Sequence, residues 1–303
     1  MASPMQLTHL RDLAVDAPLA SGHAFLSSAS GMVVCGDALY VVADDARHLG
    51  VFDLATMEPG RLVPLIAGDL PRDAAARKKL KPDFEILLAL PCEGRADAAG
   101  TRLLAVGSGS TARRMRGAVI DLPGSVRLID LQALFAAIAP LVPETNLEGA
   151  VLRGDELLLF NRGNMEHPAS QIIGVPLAAL LDGGPLAAIL HAELALPDVA
   201  GVPLTVTDAC LLANGEILLS TVAEATDNSY ADGALVGAAI VALGADLQVR
   251  AIAPLEPPLK VEGLSAQIMP DGVHLLCVTD ADDPDQASGL FAARWERVGE
   301  RGG

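Results

Sequence analysis

Short apolar runs, punctuated by Gly, Asp, Asn and Pro, recur along nearly the whole chain. Runs of about 4–8 residues with such punctuation predict strands joined by turns. The pattern repeats in five comparable segments, residues 28–54, 83–122, 146–177, 206–243 and 261–295. Each reads as a short strand, a turn such as GD, RGDE, ANGE or PDG, a second apolar strand, a polar loop and a third strand. A fourth strand follows the first four segments, in GRLVPLIAGDL, SVRLIDL, AAILHAELAL and DLQVRAIAPL. Four strands in a unit of about 50–60 residues mark a propeller blade. Helical patterning is confined to two connections, RDAAARKKL (72–80) and LQALFAAIAPLV (131–142). The fifth segment ends near Trp295 without a fourth strand, while MQLTHLRDLAV (5–15) has no partner of its own. The N-terminal segment is therefore predicted to complete the last blade, closing the ring and covering an edge that would invite aggregation. The expectation is an all-β, five-bladed β-propeller with four-stranded blades, spanning residues 1–303 as one domain.

Composition narrows the function classes. The chain is 51% apolar but only 3% aromatic, so its core is built from Leu, Val, Ile and Ala. A formal net charge of −17 argues against nucleic acid, whose phosphates need clustered Lys and Arg, and against an anionic membrane surface. The N-terminus MASPMQLTHLRDLAVDAPLA lacks a basic stretch followed by an apolar one, and no apolar run reaches the roughly 18 residues of a membrane span. Cys35, Cys92, Cys210 and Cys277 stand far apart with no CxxC pairing. Small buried hydrophobes in a reducing cytoplasm suit that spacing better than a disulfide or zinc site. A cytoplasmic monomer is the expectation.

The repeats also place charge on the axis. The first strand of each blade lines the centre of a propeller, and aligning those strands stacks Ser30, Glu85, Glu148, Asp208 and Glu262. Like charges so close cannot all stay ionised without a partner, so some protonate or a cation sits among them. A hard cation such as Ca²⁺ suits carboxylates and a hydroxyl. The blander alternative is that the ring residues bond to backbone N–H groups and water, with any ion serving only to staple the blades. Loops after the second strands, ADDARH, GSGSTARRMR, NRGNMEHP, AEATDNSYADG and TDADDPDQAS, converge on the same face. Ser28, Asp83, Asn146 and Lys260, two positions before the ring, point the same way by strand alternation.

Within those loops Arg113, Arg114 and Arg162 are candidates for holding an anionic group, because guanidinium forks suit phosphate and carboxylate. Asp44 and Asp45 are the candidates for positioning a water or taking its proton, with Asp280 beside them at the substrate. Each such Arg or Asp, taken alone, is as readily an ion pair that pins a loop. There is no GxGxxG, GxxxxGK[ST], GxSxG or HExxH motif. Paired carboxylates could serve glycoside hydrolysis, but one Trp and two Tyr give little aromatic stacking for a sugar.

The phrases DFE…LLAVGSGST.RR, NLEGAVL…LLLFNRGN, TDACLL…YADG and VEGLS…VTDADDP resemble a family of bacterial proteins known only as a domain of unknown function. That resemblance covers nearly the whole chain and implies a propeller without implying an activity. A more distant likeness is to the calcium-activated nucleotidases, five-bladed propellers that hold calcium in a ring of serines and glutamates. ALYVVADDARHLGVFDL and KVEGLSAQI are similar to segments of that family, and Ser30, Glu85, Glu148 and Glu262 fall where it has Ser, Glu, Glu and Glu. The chain departs from it at the fourth blade, where Asp208 with Thr207 replaces a serine, and in a longer Asp44-Asp45-Ala46-Arg47 loop. Phytase-like and lactonase-like calcium propellers resemble it at the level of architecture. Together these readings imply a calcium-dependent hydrolase of a small anionic substrate, a phosphate ester or anhydride, or else a non-catalytic propeller binding a metabolite or protein partner.

Overall fold

The hairpin turns are set by residues that tolerate left-handed backbone: Gly36 (φ 59°) and Gly154 (φ 65°) close the first hairpins of two blades. The computed structural model describes residues 4–19, 21–91, 100–226 and 233–296, so Cys92 lies outside it. An N-terminal strand, β1 (Thr8–Asp12), precedes the first blade, which is β2 (Ala29–Cys35), β3 (Ala38–Ala43), β4 (His48–Asp53) and β5 (Arg61–Pro64). The second blade is β6 (Phe84–Ala89), β7 (Thr101–Gly107), β8 (Arg116–Leu122) and β9 (Val126–Asp130). The third is β10 (Leu147–Arg153), β11 (Glu156–Asn161), β12 (Ser170–Pro176) and β13 (Ile189–Leu194).

A two-residue strand, β14 (Asp198–Val199), adds an unforeseen fifth element to the fourth blade, β15 (Val202–Leu211), β16 (Ile217–Ala225), β17 (Ala234–Leu243) and β18 (Val249–Pro254). The last blade is β19 (Val261–Met269), β20 (Gly272–Thr279), β21 (Gly289–Trp295) and, outermost, β1. β1 runs antiparallel to β21 from Thr8↔Ala292 to Asp12↔Gly289, so the N-terminal segment closes the ring as its sequence predicts.

Among the described residues three short α-helices lie in connections. The sequence points to α1 (Ala74–Leu80), capped by the Asp73 carboxylate on the Ala76 N–H, and to α2 (Gln132–Ile138). It does not point to α3 (Leu177–Asp182), whose single amphipathic turn and a half is too short to show a period. None of the described helices is long and apolar enough to cross a membrane.

The apolar residues form five cores, each shared by two adjacent blades. Leu104 and Val119 of the second blade, for instance, meet Leu159 and Ile173 of the third, with Phe135 of α2 filling the same core. The inner strands touch in cyclic order, β2 on β6, β6 on β10, β10 on β15, β15 on β19 and β19 back on β2. That closed ring brings one residue from every inner strand to a common level.

At that level each inner strand carries a register shift against its neighbour, between Ala29 and Gly31, Phe84 and Ile86, Leu147 and Gly149, Val206 and Asp208, and Val261 and Gly263. A bulge inserts one residue and re-aims its side chain. The inserted residues are Ser30, Glu85, Glu148, Thr207 and Glu262. The residue after the bulge packs on the next blade. A Cβ on Gly31 would lie 2.8 Å from the Glu85 carbonyl oxygen, and one on Gly149 2.8 Å from the Ala209 nitrogen. The recurring Glu-Gly phrase therefore has two parts: a bulged carboxylate turned to the axis and a glycine that lets the neighbouring backbone approach.

Candidate functional site

Four of the five predicted ring residues, Ser30, Glu85, Glu148 and Glu262, line one axial cavity of about 80 Å³. Asp208 is not among its lining residues. It stands one place past the fourth bulge, where three other blades have glycine, and its Oδ2 accepts the Leu264 N–H at 2.7 Å across the blade boundary. The bulge position belongs to Thr207, whose hydroxyl donates to the Val261 carbonyl at 2.5 Å. A ring alignment made on carboxylates thus picks the neighbour of the equivalent residue.

All five loops after the second strands reach the cavity, through Asp44, Arg114, Arg162 with Asn164, Glu224 with Thr226, and Asp280. Asp83, Asn146 and Lys260 face it from two positions before the bulges. Asp44 and Asp45 part company. Asp44 lines the cavity, while Asp45 turns to a side pocket and pairs with Arg77 at 3.2 Å. Arg113 is exposed and lies outside the lining, whereas its neighbour Arg114 is buried and bonds Asp83 at 2.9 Å.

Cations of the chain itself are interleaved with the acids. Lys81 bonds Asp44 and lies 3.0 Å from Asp83. Arg162 reaches Glu224 at 2.5 Å and Glu148 at 3.5 Å, and Lys260 reaches Asp282 at 2.6 Å and Glu262 at 3.5 Å. Sequence reasoning missed Lys81, Lys78 and Glu224 as lining residues. The usable signals were a lysine two places before Asp83 in a chain with only four lysines, and a glutamate ending the apolar run ILLSTVAE. Repulsion among the ring acids is thus largely offset by built-in partners rather than left wholly to a bound ion.

The compensation is incomplete. Asp44, Asp83, Glu85, Glu148, Glu224, Glu262 and Asp280 face Lys78, Lys81, Arg114, Arg162 and Lys260, an excess of two formal negative charges. Glu85 is 9% exposed and, among the described residues, makes neither a hydrogen bond nor an ion pair. Burial, then Asp83, Glu148 and Asp44, push its carboxyl well above the usual range. Burial also lifts Glu148 to about 8, despite Arg162, and Glu262 to about 7, despite Lys260. Asp44 rises to about 6 because burial outweighs Lys81. Asp280 and Asp208 are raised as well, chiefly by burial. Glu224, unlike these, is lowered, since Arg162 and Lys260 overcome its burial. The same acids hold Lys81 and Lys260 above the ordinary lysine value against burial.

The donor set suits a hard cation. Every acidic or hydroxyl ligand offered is oxygen, and one carboxylate oxygen each from Asp44, Asp83 and Glu85 lies within 4.8 Å of the others. Lys81 already occupies the Asp44–Asp83 side of that cluster, which leaves Glu85 and the ring carboxylates as the open side.

Solved structures align with most of the chain at low identity. A protein described as a candidate glycoside hydrolase from Parabacteroides distasonis aligns over 97% of both chains at 10% identity and a TM-score of 0.51. Myxococcus xanthus glutaminyl cyclase aligns over 97% of this chain and 98% of its own at 11% identity, TM-score 0.47. A glucose dehydrogenase aligns over 94% and 98% at 12% identity, TM-score 0.44. At such identities the likeness concerns the fold alone. No curated protein sequence matches the chain. The sequence model of a family of unknown function, DUF6929, matches residues 25–294, and the chain belongs to that family.

Proposed function

We propose that the protein is a hydrolase of small anionic substrates, with a phosphate ester or anhydride first among them, whose axial carboxylates hold a calcium ion. The observation that carries this reading is Glu85, nine-tenths buried, without a direct partner among the described residues, and facing a cavity lined by seven acids and five bases. Ser30, Glu85, Glu148 and Glu262 would hold the ion, within reach of Asp83. Bound there, a calcium ion would polarise a phosphoryl oxygen and offset its charge. Arg114 and Arg162, already oriented by Asp83 and Glu224, would direct N–H groups at the anion. Asp44, with its pKa near 6, is poised to take or give a proton near neutral pH, a role Asp45 cannot share from the side pocket.

The second reading, an ion that only staples the blades, is favoured by the way Arg162 and Lys260 already tie blades three, four and five together at this level. One set of measurements separates the two. Melting curves with calcium and with chelator report binding, because a ligand of the folded state stabilises it by RT ln(1 + [L]/Kd). A phosphoester and anhydride panel under the same conditions reports turnover. The hydrolase reading expects calcium to raise Tm and to switch on turnover, both lost in Glu85→Gln. Stabilisation without any turnover refutes it in favour of the staple, and neither effect refutes both.

A further inference from the structure

Among the described residues, one group of carboxylates has the spacing of a metal site: one oxygen each from Asp44, Asp83 and Glu85 lies within 4.8 Å of the other two. Calcium takes oxygen ligands at about 2.3–2.6 Å, which puts the oxygens around it up to about 5 Å apart. The place between these three is already taken. The Lys81 ammonium bonds the Asp44 Oδ2 and stands 3.0 Å from the Asp83 Oδ1. The other Asp83 oxygen, Oδ2, is committed to the Ser108 hydroxyl at 2.5 Å and to Arg114 at 2.9 Å. The third acid, Glu85, is 9% exposed and has neither a hydrogen bond nor an ion pair among the described residues. An ordinary buried pair sets one cation against one carboxylate, whereas here one ammonium faces three. Burial works against its charge, but Asp44, Asp83 and Glu85 outweigh burial and hold it above the ordinary lysine value. Lys260 does not fill such a group: only Asp282 bonds it closely, with Glu262 3.5 Å and Glu224 3.9 Å from its Nζ.

We infer that Lys81 is a tethered cation filling a second metal position of the axial site, so that the wild-type axis takes one calcium ion where the same carboxylates without the lysine would take two. Glu85, common to this cluster and to the ring, is the ligand the two positions share. The backbone fixes the ammonium in place. Pro82 confines Lys81 to extended backbone (φ −60°, ψ 145°), which ends α1 there, and the Lys81 N–H caps the Arg77 carbonyl at 2.8 Å. Arg77, one turn earlier, grips Asp45 at 3.2 Å, and the Asp83 N–H bonds the Asp44 carbonyl at 3.2 Å. A cation held in this way cannot dissociate when calcium is scarce. Two of its three N–H groups face Asp44 and Asp83, and it lines the cavity, with the third left for an anion there. On the hydrolase reading above, its charge would stabilise a phosphoryl oxygen beside the calcium, as the second ion does in two-metal sites. That role rests on that reading, while the number of calcium ions bound is measurable without turnover.

The test is calorimetric titration with calcium alone, together with melting curves in calcium and in chelator, of the wild type, K81A, K81Q, K81R and K81A/D44N. Wild type and K81R are expected to bind about one calcium per chain and K81A about two, with the added ion lost in K81A/D44N. In chelator K81A melts below the wild type, because Asp44 and Asp83 lose a buried partner, and saturating calcium removes most of that deficit. K81Q is the milder change and keeps a donor, so it is counted in the same way if K81A does not fold in chelator. Equal counts in wild type, K81A and K81Q make Lys81 a plain ion pair and overturn the inference, and if that count is one the axial calcium reading survives. An added ion in K81R shows that the charge does not exclude it, and an added ion that persists in K81A/D44N lies elsewhere; either result also overturns the inference. A wild type that binds no calcium while K81A gains an ion removes the axial calcium reading and leaves the tethered cation standing.

Discussion

A methyl group added at Gly149 would sit 2.8 Å from the Ala209 nitrogen and 3.0 Å from the Asp208 backbone. Neither atom can yield, because both belong to the inner strand of the next blade. Gly149→Ala should therefore destabilise the protein by about 1–3 kcal/mol, the range for overpacking, seen as a lower urea midpoint with an unchanged slope. The same argument accounts for Gly31 against Glu85 and Leu87. The phrase Glu-Gly was legible in the sequence as a mark of the inner strands. The need for its glycine was not, since the contact is with a strand some 60 residues away in chain order. Asp208 shows the converse limit. Its acidity points to the ring, yet a one-residue bulge offset sends it to the Leu264 N–H and gives the ring position to Thr207.

Among the elements, β1 has the largest consequence for its size. It covers β21, which would otherwise be the exposed edge of the last blade. Deleting residues 1–12 should leave a row of unpaired N–H and C=O groups and convert a single species to aggregating material with a lower Tm, measured by light scattering and calorimetry. An unchanged melt would mean that the ring closes without this strand. Its pairing was readable because the fifth segment lacks a fourth strand while the N-terminus carries one to spare. α1 was readable too, from the run RDAAARKKL, but its two grips were not. Arg77 and Lys81, one turn apart, hold Asp45 and Asp44 on opposite sides of one loop, so adjacent aspartates face different pockets. β14 and α3 are not legible in the sequence because two and six residues carry too little periodicity.

At the scale of the molecule, stability is coupled to the axial charge. The folded-state pKa values of Asp44, Glu262 and Glu148, about 6, 7 and 8, lie above the unfolded values of 3.8, 4.5 and 4.5. A raised acid keeps its proton in the folded state after the unfolded chain has released its own. Its contribution is full below the unfolded pKa and is lost as pH rises through the folded one. In chelator, Tm should therefore fall between about pH 5 and about pH 8, and calcium should flatten that slope by replacing protons at the carboxylates. Glu224, lowered by Arg162 and Lys260, acts in the opposite sense and only in acid, where its contribution is lost as pH falls through its folded pKa. A Tm that rises across the neutral window in chelator contradicts the assignment of buried, under-compensated acids.

The sequence by itself determined the blades, the closing strand, the inner strands and the face on which charged loops gather. These follow from local periodicity, turn residues and repetition, all of which act over a few residues at a time. Only the tertiary structure decided which side chains meet. Whether Arg114 and Arg162 are matched, whether Asp45 sees the cavity and where the bulge falls in the fourth blade depend on the register between strands far apart in the chain. So does the residual charge at the axis, because it is the difference between acids and bases that five separate segments bring to one place.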